Sequence, residues 1–182
     1  MHAVVAVFAV GWFGFWIYWL TAARSTKRGR VPWSPLLRIR VLTVAIAIVL
    51  IRAGLFRGDG INTNPLRAGF GLGIFALGLG FAIWARVHLG RNWGTPMSRK
   101  DDPELVTSGP YRFVRHPIYS GILLAGLGTS VSLSWQGLII VVFVGVFFGY
   151  AATVEERTIA EAFPDSYPAY RSSTKMLIPF VL

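Results

Sequence analysis

The chain has 182 residues, 54% of them hydrophobic and only 14% charged, about half the charged share of a soluble domain. That balance, with a mean hydropathy of +0.55, excludes a soluble enzyme and predicts an all-α, polytopic integral membrane bundle of about five spans, since roughly 20 apolar residues cross a bilayer as helix. The net charge of +10 sits between apolar runs, which is the pattern of cytoplasmic loops and not of a nucleic-acid surface; the lack of cysteine excludes disulfides, thiolate metal sites and a cysteine nucleophile.

The first predicted span runs from Ala3 to Ala23 without a charge, with Trp12, Trp16, Tyr18 and Trp19 as interfacial aromatics. A block of arginines follows at once and no basic stretch precedes, so the segment reads as a span with a stop-transfer flank and not as a cleaved leader. The next loop carries Arg24, Lys27, Arg28, Arg30, Arg38 and Arg40 and no acid, which predicts a cytoplasmic position. A second span is predicted from Val41 to Phe56, with Arg52 snorkelling from its end. "RGDGINTNP", residues 57–65, is turn chemistry on the outer side.

The third predicted span, Ala68 to Ala85, contains "GFGLGIFALGLG". Its G-x-G-x-x-A substring lacks the strand–turn–helix context of a dinucleotide site. Gly69 and Gly73, then Ala76 and Gly80, are spaced four apart and predict a face for close helix approach. A polar connector from Arg86 to His116 comes next. Residues 117–154 carry no charge, which fits two helices joined near "SLSW", residues 132–135. The tail begins at Glu155. This layout puts the N-terminus outside and the C-terminus in the cytoplasm. It divides the chain into N-terminal spans, residues 1–85, and a catalytic region, residues 86–182. No internal repeat supports a transporter.

Three polar clusters converge on the cytoplasmic end of the last hairpin. "GPYRFVRHPIYSG", residues 109–121, holds Tyr111, Arg112, Arg115, His116 and Tyr119. Pro117 suits the first turn of a helix, which leaves His116 near its unpaired amides. Glu155 and Glu156 lie at the other end of the hairpin. Neighbouring helix positions point about 100° apart, so one glutamate is expected to face a site and the other a neighbouring arginine or water. The tail adds Tyr167, Tyr170, Arg171 and Lys175. Ionisable groups of both signs around one uncharged hairpin are a functional hypothesis by default.

"LVTSGPYRFVRHPIYSG", followed by "EERTIAEAFPDSYPAYRSSTKMLIP" and preceded by "HLGRNWG", resembles the isoprenylcysteine carboxyl methyltransferase family, whose wider group includes phospholipid N-methyltransferases. The likeness covers about residues 86 to 179. It departs at Phe163-Pro164, where members have Phe-Gly, and at Lys175-Met176, where they often have Arg. The resemblance implies S-adenosylmethionine as cofactor, in a pocket at the cytoplasmic end of the hairpin, with no metal. It implies a lipophilic or prenylated acceptor that enters from the membrane lipids. Tyr111, His116, Tyr119, Glu155 and Glu156 are the implied cofactor residues; Arg115, Glu156 and Arg171 are the candidate catalytic ones. Glu155 or Glu156 would bind the cofactor's ammonium or ribose, and Arg115 or His116 its carboxylate. Arg171 would orient a carboxylate acceptor. Carboxyl O-methylation of an isoprenoid acid is the first expectation, phospholipid N-methylation the second, and a non-catalytic membrane scaffold the third.

Overall fold

A computed structural model describes residues 2–23, 29–30, 64–93, 99–100 and 104–179. The predicted second span, the basic loop apart from two residues, and the Arg-Gly-Asp turn lie outside the described residues. The elements are α1 (His2–Ala23), β1 (Gly29–Arg30), α2 (Pro65–Leu89), β2 (Arg99–Lys100), α3 (Pro117–Leu133), α4 (Gly137–Ala162) and α5 (Tyr167–Ser173). The strands form one two-residue antiparallel pairing, Gly29 with Lys100 and Arg30 with Arg99. Every other regular element among the described residues is helical. α1, α2 and α4 are long and apolar enough to cross a membrane, and α3 is a shorter apolar helix.

The helix ends follow from local chemistry. Asn64 caps α2, its side chain accepting from the amides of Leu66 and Arg67, and Pro65 takes the first position, where a missing N–H costs nothing. α2 therefore starts three residues before the predicted span and ends four beyond it. The break between α3 and α4 falls at residues 134–136, overlapping the predicted turn at 132–135 and extending one residue past it. The sequence reading ended the last span at 154, with the glutamates opening a tail. Instead α4 continues to Ala162, so both glutamates are helical. The physical reason is that Glu156 is buried against cations, which makes a charged turn of helix part of the core.

α2 and α3 form the tightest pair. A Cβ built on Gly71 would meet the Gly128 carbonyl oxygen at 2.5 Å, and one on Gly121 would meet the Ala82 amide nitrogen at 2.6 Å. Gly78 faces Gly121 in the same way. Gly71 and Gly78 are seven residues apart, as are Gly121 and Gly128, so two antiparallel heptads of glycine bring the backbones together. The expected glycines lie off this seam: a Cβ on Gly69, Gly73 or Gly80 meets nothing among the described residues. The four-residue spacing fits a right-handed crossing, whereas the seven-residue spacing that packs keeps one narrow seam along the helix.

α1 leans on this pair through aromatic edges. Phe8 and Trp12 meet the Phe75 ring at 4.8 and 5.6 Å, and the Trp12 indole donates to Thr129 Oγ1 at 3.2 Å. α4 closes the other side, with Phe148 stacked on Tyr119 at 4.3 Å. Gly78→Ala is expected to destabilise the detergent-solubilised protein by about 1–3 kcal/mol, the usual range for overpacking. Gly73→Ala, at an open position, is expected to stay within about 0.5 kcal/mol. Thermal melts of the two variants side by side check this, and equal losses would refute the heptad seam.

Candidate active site

The polar loop before α3 is folded by its own residues. Gly109 has φ of +59° and a Cβ there would strike the His88 ring at 2.7 Å, so any side chain at 109 is excluded twice. His88 Nε2 is 2.9 Å from Ser108 Oγ. A 3-10 turn, Gly109–Arg112, then leads to Pro117. The tail straps onto this loop: the Arg115 amide donates to the Lys175 carbonyl at 2.8 Å and the His116 amide to the Met176 carbonyl at 3.0 Å. Ser120 Oγ donates to the Leu177 carbonyl. The Tyr170 hydroxyl donates to the Tyr111 carbonyl at 2.7 Å.

Glu156 is buried and central. Arg115 Nε donates to its Oε1 at 2.7 Å, with side-chain exposures of 9% and 7%. Arg171 Nε stands 3.6 Å from its other oxygen. The Arg115 guanidinium also donates to the carbonyls of Arg171 and Thr174. His116 sits between the two acids, with Nδ1 3.4 Å from Glu155 Oε2 and Nε2 3.4 Å from Glu156 Oε1. The Nε2 contact is ionic in distance but lacks the alignment of a hydrogen bond. Glu155 Oε1 accepts from the Tyr119 hydroxyl at 2.6 Å. The rings of His116, Tyr119 and Phe148 form one stacked ladder, with interplanar angles of 5° and 10°.

Burial alone would lower the basicity of His116, but the two carboxylates beside it outweigh that and raise its pKa above the ordinary value. Burial, helped by Tyr170 and Glu155, pushes the Tyr111 phenol far up. Burial and then nearby Glu156 do the same to Tyr167. Burial pushes Tyr170 to about 12. All three phenols therefore stay protonated, and two of them donate: Tyr111 to the Ala85 carbonyl at 3.5 Å and Tyr170 to the Tyr111 carbonyl.

Beside this network lies a cavity of about 690 Å³, large enough for a cofactor-sized molecule. Of the residues singled out from sequence, Tyr111, Arg115, His116, Tyr119 and Glu155 line it. Glu156 and Arg171 do not: Glu156 is turned into the ion network, and the Arg171 side chain is 63% exposed on the tail. The helix wheel decides between the acids. Glu155 shares its face of α4 with Phe148, Ile159 and Ala162, seven before, four after and seven after, and all line the cavity. The sequence reading missed the wall opposite. Trp16 and Trp19 come from α1, and Asn92, Trp93 and Glu104 from the connector. The three-residue spacing of Trp16 and Trp19 marks a common face, but nothing in the sequence says what that face meets.

Acids outnumber bases on the cavity wall, where Arg115 and His116 are the basic groups, the reverse of the chain as a whole. Glu104, Glu155 and Glu161 line the cavity, three of only eight acids in a chain of net charge +10. With nine tryptophan, tyrosine and phenylalanine side chains in its lining, among them Trp16, Trp19, Trp93, Tyr119 and Phe148, it suits a ligand that is cationic and partly apolar.

The family model for phospholipid methyltransferase matches residues 66–166, more than half of the chain. A protein-S-isoprenylcysteine O-methyltransferase of Schizosaccharomyces pombe is 33% identical over 114 residues, 60% of this chain and 48% of that protein. Protein-S-isoprenylcysteine O-methyltransferase B of Arabidopsis thaliana is 28% identical over 144 residues, 77% and 73% of the two chains. Cobalt-zinc-cadmium resistance protein CzcN of Cupriavidus metallidurans is 32% identical over 147 residues, 78% and 63%. The chain thus spans about half of the first of these relatives and more of the other two.

The raised pKa of His116 has a sign that can be measured. A histidine whose folded pKa is raised adds stability that is fully present below its unfolded value, about 6.5, and is lost as pH rises through the folded value. Without cofactor, the melting temperature is expected to fall with rising pH across that window. His116→Gln is expected to flatten that part of the curve; an unchanged curve would refute the bridging role.

Proposed function

The chain belongs to the phospholipid methyltransferase family, and from that premise we propose that it is an integral membrane methyltransferase that uses S-adenosylmethionine. The observation that carries the reading is the acid-lined, aromatic-walled cavity of a strongly basic chain. The cofactor bears a sulfonium, an ammonium and a carboxylate, and supplies a methyl group to a nucleophile when bound. The residues present fit each part. Glu155 would hold the ammonium or the ribose hydroxyls, with its orientation fixed by Tyr119 and His116. The stacked face of Tyr119 and Phe148 and the tryptophans would face the sulfonium and the adenine. Arg115 and His116 would meet the carboxylate.

This assignment gives Glu156 a supporting task. It holds Arg115 and His116 at the wall and is itself kept from the ligand. Methyl transfer needs alignment of donor and acceptor and exclusion of water. The tail serves both needs, since Tyr167 and Tyr170 close the cavity while Arg115 and Ser120 hold the segment that follows them. The catalytic apparatus would lie mainly in residues 86–182, with α1 adding tryptophans. The site would face the cytoplasm, on the side of the basic loop.

The acceptor would be lipophilic and enter from the bilayer. Carboxyl O-methylation of an isoprenoid or similar acid is the first reading, because a carboxylate is already ionised at neutral pH and needs no base. The second reading is N-methylation of a phospholipid amine, favoured by Glu104 and Glu161 in the cavity wall, which suit a cationic headgroup. The products separate the readings: incubating membranes with methyl-labelled S-adenosylmethionine should give base-labile label that leaves as methanol, whereas an N-methyl group survives base. In calorimetry, Glu155→Gln is expected to weaken S-adenosylmethionine binding by about tenfold or more, the value of a charge-assisted hydrogen bond. Wild-type protein that binds no S-adenosylmethionine in a lipid nanodisc would overturn the reading.

A further inference from the structure

Arg86 was expected to open a polar connector at the membrane surface. Instead it lies within α2 and is only 3% exposed. A guanidinium stays charged, and in a membrane protein a buried charge marks a task. Among the described residues no carboxylate stands within ion-pair range of it. Its partners are of another kind. Nη1 donates to the Gly90 carbonyl at 2.8 Å and Nη2 to the Ala22 carbonyl at 2.7 Å. The guanidinium carbon lies 4.7 Å from the centre of the Trp93 ring.

Both carbonyls belong to helix C-termini. Ala22 is the penultimate residue of α1, and Gly90 caps α2. The last carbonyls of a helix lack intrahelical partners and carry about half a negative charge per helix end. One guanidinium between two such ends is electrically matched without any acid. The rigid fork of Arg can take two carbonyls and still lie on an aromatic face; the ammonium of Lys cannot do all three.

The elements joined this way are the ones that build the cavity's missing wall. α1 contributes Trp16 and Trp19, and Trp93 follows the α2 cap. Trp93 meets Trp19 edge-on at 5.7 Å. We propose that Arg86 is a positioning residue: its guanidinium clamps the C-terminal ends of α1 and α2 and fixes Trp93, so that the tryptophan wall closes the cofactor cavity. Arg86 itself does not line the cavity, so it acts through those rings. The binding half of its test rests on the methyltransferase reading; the distance half does not.

The chain has no cysteine, which makes paired spin labels clean. Labels at Leu20→Cys and Arg91→Cys, both exposed positions, report the α1–α2 junction. Labels at Leu77→Cys and Leu124→Cys report the α2–α3 pair as a control for folding. With Arg86 intact, both distances are expected to be narrow. Arg86→Met is expected to broaden the first, leave the second unchanged, and raise the S-adenosylmethionine Kd about tenfold. Arg86→Lys is expected to rescue neither, and carries the same comparison if Arg86→Met does not survive purification. A narrow first distance in both variants, full rescue by Lys, or a broadened distance with unchanged Kd would each overturn the proposal. Failure of the wild type to bind S-adenosylmethionine would sink the functional reading, while the distances still decide the clamp.

Discussion

One buried carboxylate ties together the parts that need each other. Glu156 comes from α4, Arg115 and His116 from the loop before α3, and Arg171 from the tail. Such a cluster gives little net stability, because desolvating the charges offsets most of their attraction. Its value lies in specificity of arrangement. Removing one partner would strand the others, a loss of about 3–5 kcal/mol for a buried pair, so three separate segments are held to one geometry. Once Arg115 is fixed, its guanidinium and amide hold the tail at Arg171, Thr174 and Lys175. The tail in turn sets Tyr170 on the Tyr111 carbonyl.

A division of labour between adjacent acids follows. The two glutamates share His116 and differ in everything else. Glu156 lies off the cavity lining and pairs with Arg115 and Arg171; Glu155 lines the cavity and meets Tyr119. The same imidazole couples them, so the structural carboxylate and the binding carboxylate sense each other's charge through one ring. The stacked ladder of His116, Tyr119 and Phe148 passes that order on to packing, since no ring can tilt without displacing the next.

Much of this was legible in the sequence, for reasons that differ by element. Long uncharged runs have one stable outcome in lipid, so the helices and the α3–α4 break read directly. The polar motif was legible because a hairpin brings its ends together whatever the packing details. The 100° step between Glu155 and Glu156 showed that they part company, yet the sequence alone could not say which turns in; the choice rests on which face of α4 carries Phe148. The glycine seam against α3 was not legible because α2 offers both four- and seven-residue spacings, and only the partner helix selects one. Trp19 and Arg86 were read as interfacial groups, since their burial depends on contacts between segments 64 or more residues apart.

A chain of net charge +10 would repel a cationic ligand from any surface typical of it. Within the bundle, two devices remove that repulsion. The arginines nearest the cavity are balanced locally: Arg115, held at the wall, by Glu156 and carbonyls, and Arg86 by two helix ends and a tryptophan face. Three carboxylates also stand on the wall. In a low-dielectric cavity such a local balance outweighs the distant charge of the loops, which water and salt screen over about 8 Å at physiological ionic strength. The basic loops can therefore serve the membrane surface while the interior presents the opposite sign to its ligand.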